Sequence, residues 1–389
     1  MSKLIENQRH LFDLPDDVAY FNVAALGPLP IAAAEAGCDG LNRKRQPWTI
    51  SNADFFADTE RVRPKLAQLI NAEADGIAFC ASVSYALATA ANNLPVKPGQ
   101  TILVLADQFP SNVYTWRALA ERVGANVKTV GHAEAPEALN DALLSAITPE
   151  TAIVACAQVR WTDGARIDLD AVGARAREVG AALVIDLTQS CGAMVFDAAT
   201  TQPDFVACAA YKWLLGPYST GFLYAAPKWR RGVPLEQNWI TRTNARDFSK
   251  LTDYCDAFAP GAQRYDMGER SNFALLPALE ASVDLILDWG VANIEATLGA
   301  QNAGLARRLA ALSLASPPAD QRGPHYLGIA LPETAPADLS DRLRSAGVHV
   351  SRRGNRLRIT PHLFTTEADM NRLVEALKVE LSPPLAAER

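Results

Sequence analysis

The sequence predicts a large, doubly wound α/β domain followed by a smaller C-terminal α+β domain. Two observations predict this fold class. Short apolar runs alternate with amphipathic helical stretches through most of the first 260 residues, and after Gly261 the pattern changes to two long helices followed by short strands. Strands that alternate with helices favour an open parallel or mixed sheet with helices on both faces.

Five apolar runs predict strands of the larger domain. Their hydrophobicity is nearly continuous, as it must be for strands covered on both faces. Helical periodicity separates some of them, at 84–94, 113–123 and 169–179. The predicted strands are TILVLA (101–106), TAIVACAQV (151–159), ALVIDL (182–187), DFVACAA (204–210) and TGFLYAA (220–226).

The last part of the chain predicts two helices followed by a β-α-β-β-α unit. Thr366 and Asp369 have the spacing of a capping box at the start of the last helix. The predicted elements are helices at 275–287 and 291–314, a strand at 325–331, a helix at 339–346, strands at 348–352 and 356–360, and a helix from Glu367. The predicted parts are an N-terminal segment (1–20), the larger domain (21–265), and linking helices with the smaller domain (266–389).

Composition and charge exclude several classes of protein. Hydrophobic residues make up 49% and charged residues 21%, and the formal net charge is −6, so the chain lacks the basic character that nucleic-acid binding needs. It has neither a long apolar run nor an apolar N-terminal region, so we expect no membrane span and no signal peptide. The six cysteines lack CxxC spacing, which predicts free thiols in the cytoplasm and no metal site.

Asp186 and Lys212 are the charged pair on which the functional prediction depends. Asp186 ends a predicted strand, and Lys212 follows the next one. Ligands of open α/β sheets bind beyond the carboxyl ends of the strands, so both side chains are expected at one rim. A lysine that forms a Schiff base and a carboxylate that keeps a pyridine nitrogen protonated are what a pyridoxal cofactor needs. Taken alone, a surface lysine and a turn aspartate would give the same pattern.

Two motifs around this pair resemble those of class V aminotransferases: D-x-x-Q-S-x-G (186–192) and Y-K-W-L-x-G-P (211–217). That family consists of fold type I enzymes dependent on pyridoxal 5′-phosphate (PLP), and it includes cysteine desulfurases, kynureninases and isopenicillin N epimerase-like proteins. The resemblance implies an aspartate aminotransferase-like fold. It also implies that Lys212 forms the Schiff base with PLP, that Asp186 pairs with the pyridine nitrogen, and that Gln189 contacts the ring O3′.

The segment IAFCASVSYALATAANNL (77–94) predicts a strand that runs directly into a helix. Free N–H groups at a helix N-terminus attract phosphate, and the resemblance implies that Ser82, Val83 and Ser84 bind the cofactor phosphate. Without the resemblance, a serine here would be an ordinary N-cap.

Two aromatic positions resemble kynureninases more than desulfurases. The resemblance implies that Phe109 stacks on the pyridine ring and that the Tyr211 hydroxyl donates to the phosphate. A ring packed against the cofactor is stabilising at offset-stacking distances. A core phenylalanine would fit the same local pattern.

Three positions are expected to face the substrate. Arg358 matches the arginine that grips an amino-acid carboxylate, a task suited to a guanidinium because it forms two parallel hydrogen bonds. Neighbouring arginines leave the choice among them open. The resemblance also implies that Trp161 walls the substrate side, and that Ala25, in the N-terminal motif YFNVAALGPLP (20–30), contacts the substrate.

The segment RYDMGERSN (264–272) resembles the loop through which family members reach the phosphate of the partner subunit. Glu269 replaces the usual threonine of that loop, so Ser271 or Asn272 is expected to make the contact. The resemblance therefore implies a homodimer with shared active sites.

The resemblance favours a PLP-dependent aminotransferase acting on an amino acid or a related amine. The alternatives are a β-eliminating or C–C-cleaving enzyme of kynureninase type, favoured by Phe109 and Tyr211, and an amino-acid epimerase. A binding module without turnover is a further alternative, which Asp186, Gln189 and Lys212 together argue against. The stretch SRRGNRLR (351–358) contains no cysteine, so no persulfide can form there. We expect neither a nucleic-acid partner nor a membrane partner.

Overall fold

The computed structural model describes residues 2–131 and 138–381. Strands and helices alternate through the larger part of the chain. The strands are β1 (Ala19–Tyr20), β2 (Ile77–Cys80), β3 (Thr101–Leu105), β4 (Asn126–Val130), β5 (Thr151–Ala157), β6 (Ala182–Asp186), β7 (Phe205–Ala209), β8 (Gly221–Ala225), β9 (Leu327–Ala330), β10 (Val348–His349), β11 (Ser351–Arg353) and β12 (Arg356–Ile359). The helices are α1 (Ile31–Arg43), α2 (Asp54–Leu69), α3 (Val83–Asn93), α4 (Ser111–Val123), α5 (Leu139–Ala146), α6 (Leu169–Val179), α7 (Ala198–Thr201), α8 (Leu275–Trp289), α9 (Val291–Ala310), α10 (Leu339–Ser345) and α11 (Glu367–Leu381).

A seven-stranded mixed sheet forms the centre of the larger domain, in the order β2-β8-β7-β6-β5-β3-β4. Strand β8 runs antiparallel to both neighbours, and the other strand pairs are parallel. The carboxyl ends of β5, β6 and β7 therefore lie at one rim. All five predicted strands of this domain are confirmed, with ends that differ by two residues at most. The polar edge strand β4 was not predicted, because most of its side chains are exposed or half-buried.

The two faces of this sheet are covered by separate apolar clusters, as its strands require. Along β5, Val154 and Cys156 point into one cluster, whereas Ile153 and Ala155 point into the other. This alternation follows from the period of two in a strand. Because both faces are buried, the ends of the strands are the sites where polar groups can reach a ligand.

The smaller domain contains the three-stranded antiparallel sheet β11-β12-β9 and a third apolar cluster. The predicted strand at 348–352 is wrong as a single element. It divides at Val350 into β10, which pairs with β1, and β11, which pairs with β12. The capping box is confirmed, since the Thr366 N–H donates to Asp369 and the Asp369 N–H donates to the Thr366 hydroxyl. Helix α9 ends at Ala310, before the predicted residue 314.

The N-terminal segment runs from the smaller domain to the larger one. Strand β1 pairs with β10, and the Thr360 N–H donates to the Phe21 carbonyl at 2.8 Å. A few residues later, the Gly27 N–H donates to the carbonyl of Tyr211 at 2.8 Å. A Cβ at Gly27 would lie 2.1 Å from the Lys212 carbonyl oxygen, so the close approach requires glycine. The division at residues 20 and 265 stays a prediction.

Candidate active site

A cavity of about 220 Å³ lies at the rim where β5, β6 and β7 end. It brings together Asp186, Lys212, Trp161 and Phe109 with the loop before α3. The lining residues are Ala81, Ser82, Val83, Ser84, Gln108, Phe109, Ser111, Ala157, Val159, Trp161, Asp186, Thr188, Gln189, Ala209, Tyr211, Lys212, Tyr218 and Ser219.

Lys212 projects a buried amine into the cavity. Its Nζ lies 5.4 Å from the centre of the Phe109 ring and 5.5 Å from that of Tyr211, and no side chain in the described ranges accepts a hydrogen bond from it. Burial lowers the pKa of Lys212 to about 8, and the positive charges of Arg358 and Arg353 act in the same direction, whereas Asp186 opposes them. About a tenth of this amine is therefore neutral at pH 7, far more than for an ordinary lysine, and a nucleophile or a base must be neutral.

Asp186 ends β6 in the same cavity. Its Oδ1 accepts a hydrogen bond from the Thr188 N–H at 2.9 Å, and the Thr188 hydroxyl accepts one from the Ala209 N–H at 3.1 Å. Burial raises the pKa of the Asp186 carboxyl, while its hydrogen bonds to Thr188 and the charge of Lys212 oppose that effect. A cation placed beside Asp186, such as a protonated pyridine nitrogen, would favour the carboxylate form.

The loop before α3 offers free backbone donors. Ser82 caps the helix, because its hydroxyl accepts from the Tyr85 N–H at 3.1 Å. Within the described ranges, the N–H groups of Val83 and Ser84 have no acceptor, and they lie at the positive end of the helix dipole. The Ser84 hydroxyl is 2.9 Å from that of Ser111. These groups can hold a phosphate.

Gln108 is a lining residue that the sequence analysis missed. Its side-chain oxygen accepts from the Phe109 N–H at 2.9 Å, and its buried Nε2 has no partner among the described residues. An orphaned amide donor in the cavity wall is what a ligand with acceptor oxygens would satisfy. Together with the helix N-terminus, the buried lysine and the strand-end carboxylate, it fits PLP.

Phe109 and Trp161 form an aromatic corner of the cavity. Their rings meet edge to face, with centres 5.5 Å apart. The Trp161 indole is fixed at its far side, where Nε1 donates to the Asp107 carbonyl at 2.5 Å. The predicted stacking of Phe109 and the predicted wall at Trp161 stay predictions, and both side chains line the cavity.

Gln189 lines the cavity, and most of its polar groups are already used. Its Nε2 donates to the Ala24 carbonyl at 3.0 Å, and its Oε1 accepts from the Trp213 indole at 3.1 Å. One amide hydrogen is left for the predicted contact with a ring oxygen. The backbone oxygen of Gln189 is 2.6 Å from Nε2 of His325. Burial lowers the pKa of His325 to about 4. A neutral imidazole from the smaller domain therefore supports Gln189.

Arg358 lies behind Trp161 and is almost fully buried. Its Nη1 donates to the Trp161 carbonyl at 3.0 Å, and its Nε and Nη2 donate to the Ser351 hydroxyl at 2.9 and 2.7 Å. Its guanidinium carbon is 5.6 Å from the centre of the Trp161 ring. Arg358 does not line the cavity itself, and neither does Ala25, which is half-buried next to the Ala24 carbonyl bound by Gln189.

Ser271 and Asn272 lie outside the cavity of their own chain. They line a separate depression with Phe55 and Trp239. Ser271 donates through its hydroxyl to the Phe55 carbonyl, and the Asn272 side chain accepts from the N–H groups at the start of α8. The structure therefore brings together the predicted residues of the lysine, carboxylate and phosphate positions, but not these two.

Tyr218 is a second lining residue that the sequence analysis missed. Its ring centre is 4.5 Å from that of Tyr211, and 65% of the residue is exposed. Its position depends on the turn after Lys212, in which Leu215 and Ser219 adopt the left-handed region with φ of 52° and 64°. The Gly-Pro pair before Tyr218 signals a turn but not its direction.

The rim site and the mixed sheet define a fold type I PLP enzyme. The chain belongs to the class V aminotransferase family, because the family model described as "Aminotransferase class-V" matches residues 49–370. The cofactor of this family is PLP, as the sequence resemblance implies.

Individual relatives in this family are named after different reactions. A kynureninase of Deinococcus radiodurans is 31% identical over 303 residues, which cover 73% of this chain and 69% of the relative. An isopenicillin N epimerase of Streptomyces clavuligerus is 25% identical over 387 residues, which cover 96% and 97%.

A solved structure supports the fold. The cysteine desulfurase CsdA of Escherichia coli matches with a TM-score of 0.80 and 21% identity over 96% of this chain and 97% of that chain. Within residues 2–131 and 138–381, no helix is long and apolar enough to cross a bilayer. The same residues contain no cluster of side chains suited to a metal ion.

Proposed function

We propose that this enzyme acts on an α-amino acid, whose carboxylate binds to Arg358. Lys212 then moves the proton of Cα. The main support is the Lys212 amine, which is buried in the cavity and has a pKa of about 8. When bound, PLP supplies an electron sink for the electron pair that the departing α-proton leaves behind. The neutral amine of Lys212 takes up that proton, and its conjugate acid returns a proton later in the reaction.

We further infer that the reaction cleaves a bond at the side chain of the amino acid, as the name of the kynureninase relative suggests. Tyr211 and Tyr218 place two phenols beside Lys212, and neither hydroxyl bonds to another described residue. The Tyr211 phenol is protonated near neutral pH, because the ordinary pKa of tyrosine is about 10 and burial raises that of Tyr211 further. A leaving group needs a proton donor in addition to the base, whereas amino transfer can proceed with lysine alone.

Amino transfer, the reaction favoured by the sequence, is the second candidate. Lys212 is the one lysine of the lining, and the lining holds no cysteine, which argues against desulfuration through a persulfide. Amino transfer needs one group that removes the proton from Cα and returns a proton to another carbon, and lysine alone can do both. Epimerisation is the third candidate, and two relatives have that name over nearly the full length.

Product release with and without a keto acid separates these reactions. The PLP-loaded enzyme is incubated with a panel of amino acids, including L-kynurenine, alone or with 2-oxoglutarate or pyruvate. Release of alanine, pyruvate or an aromatic fragment without a keto acid supports cleavage. Products that require the keto acid support amino transfer, and inversion at Cα supports epimerisation. No response to any amino acid contradicts all three.

A Tyr218→Phe variant tests the role of the phenol. We expect the release of the fragment to fall about 100-fold, while exchange of the α-proton with deuterated water stays unchanged. Tyr114→Phe is the matched control, since Tyr114 is a similarly exposed tyrosine that lies outside the cavity. Equal losses of cleavage and exchange would contradict a specific role for Tyr218.

We also propose a homodimer in which Ser271 and Asn272 reach the phosphate of the partner subunit. Their depression contains the exposed aromatic residue Trp239, and they do not contribute to the cavity of their own chain. Light scattering tests the assembly, and Ser271→Ala with Asn272→Ala tests the contact through the affinity for PLP.

The unpaired thiols, four of them buried, are consistent with a cytoplasmic location.

A further inference from the structure

Two guanidinium groups, rather than one, lie beside Trp161, although neither arginine lines the cavity itself. The Arg353 guanidinium carbon is 5.5 Å from the centre of the Trp161 ring, and that of Arg358 is 5.6 Å from the same ring. Trp161 lines the cavity beside Lys212. Both cations therefore lie next to one aromatic wall of the cavity.

Strand register explains why these two arginines share a face. In the β11–β12 pair, Ser351 is opposite Arg358, and Arg353 is two residues further along β11. Side chains two residues apart point to the same face, and diagonal neighbours of this kind have Cα atoms about 7–8 Å apart. Arg352 lies between Ser351 and Arg353 in sequence and points to the other face, where it donates to the carbonyls of Gly354 and Pro336.

The charge of this pair is not balanced by any carboxylate of the described residues. Neither Arg353 nor Arg358 forms an ion pair within residues 2–131 and 138–381. The nearby Asp163 is already paired with Arg160 in a buried ion pair. The two cations instead act on Lys212, whose pKa both of them lower.

The two arginines are held differently. Arg358 is buried, with three hydrogen bonds to Ser351 and Trp161. Arg353 is exposed, and one of its nitrogens donates to the Arg352 carbonyl at 2.7 Å. A fixed, buried guanidinium suits a group that every substrate presents, and an exposed one suits a group further out.

We propose that the substrate is an amino acid with a second anionic group, whose α-carboxylate binds Arg358 and whose distal carboxylate or equivalent acid binds Arg353. This inference rests on the proposed function, since it concerns the same site. It names amino diacids as the substrate class and Arg353 as the residue that selects them. An uncharged side chain would leave the second guanidinium without its anion.

The test compares acids with their amides on the PLP-loaded enzyme. L-Aspartate, L-glutamate and L-2-aminoadipate are titrated against L-asparagine and L-glutamine, and the change in cofactor absorbance gives each apparent Kd. We expect the preferred diacid to bind at least about tenfold more tightly than its amide, because a charge-assisted contact is lost in the amide. Arg353→Gln should abolish this preference by weakening the diacid alone.

Arg352→Gln is the matched control, because it removes an arginine from the same strand on the opposite face. It should keep the preference for the diacid. Equal binding of acid and amide by the wild-type enzyme, or a preference that survives Arg353→Gln, would overturn the inference. If alanine or kynurenine changes the spectrum and no diacid does, the inference is wrong and the proposed function stands. If no amino acid changes it, the proposed function fails as well.

Discussion

The two ends of the cavity are built in different ways. The cofactor end consists of local features of the larger domain, namely the end of β6 with Asp186, the turn after β7 with Lys212, and the start of α3. The proposed substrate end joins Trp161 of the larger domain to Arg358 and Arg353 of the smaller one. The first is fixed by the sheet, whereas the second depends on how two domains pack. We therefore expect mutations at the two ends to separate cofactor binding from substrate binding.

The largest effect is expected at the cofactor end. Lys212→Ala removes the amine that we propose binds the cofactor and moves the proton, so turnover should fall at least about 100-fold. Borohydride reduction followed by peptide mapping should no longer find a modified lysine. Lys97→Ala, which removes an exposed lysine, should keep both properties. A modified lysine at another position would contradict the assignment.

At the substrate end, Arg358→Met should raise KM by about 10- to 100-fold, because charged hydrogen bonds are worth about 1.5–3 kcal/mol. The absorbance of bound PLP should stay unchanged, which is how this variant separates the two ends. Ser351→Ala keeps the guanidinium but removes two of its three hydrogen bonds, so the increase in KM should be smaller. Loss of the cofactor in Arg358→Met would contradict the separation of cofactor binding from substrate binding.

The pH dependence of cofactor capture tests how the substrate end acts on the lysine. The apoprotein should capture PLP through the neutral amine of Lys212, whose pKa is about 8. The rate should therefore rise with pH below about 8 and level off above it. Arg358→Met removes a charge that lowers this pKa, so the midpoint should move to higher pH. A stopped-flow absorbance series measures both, and a rate independent of pH would contradict the prediction.

The smallest effect is expected at the capping box of α11. Thr366→Ala removes the hydroxyl that accepts from the Asp369 N–H, which should lower the free energy of unfolding by about 1 kcal/mol. Because α11 belongs to the smaller domain, KM should change at a lower urea concentration than the affinity for PLP does. Thr366→Ser keeps the hydroxyl and should behave like the wild type in urea denaturation. A stability loss in the serine variant would exclude the cap as the cause.

The contrast between the ends also explains what the sequence could predict. Asp186, Lys212 and Ser82 sit where a buried strand ends or a helix begins, so the local pattern places them at the rim. The choice between arginines could not be made in this way. The chain changes partner strands at Val350, and this break decides which side chains of β11 share a face with Arg358.

Gln108 and Tyr218 were missed for a similar reason. Tyr218 enters the cavity wall through a turn with two left-handed residues, Leu215 and Ser219, neither of which is a glycine that would signal it. Gln108 looks like an ordinary loop residue until its amide is found buried without a partner. Such positions depend on tertiary packing, which spacing in the sequence does not encode.

The segment that crosses between the domains ties the backbone beside Lys212 to the smaller domain. Its start is hydrogen-bonded to strands of the smaller domain, and its end, at Gly27, is fastened to the backbone beside Lys212. A shift of the smaller domain would therefore act directly on the backbone that carries Lys212.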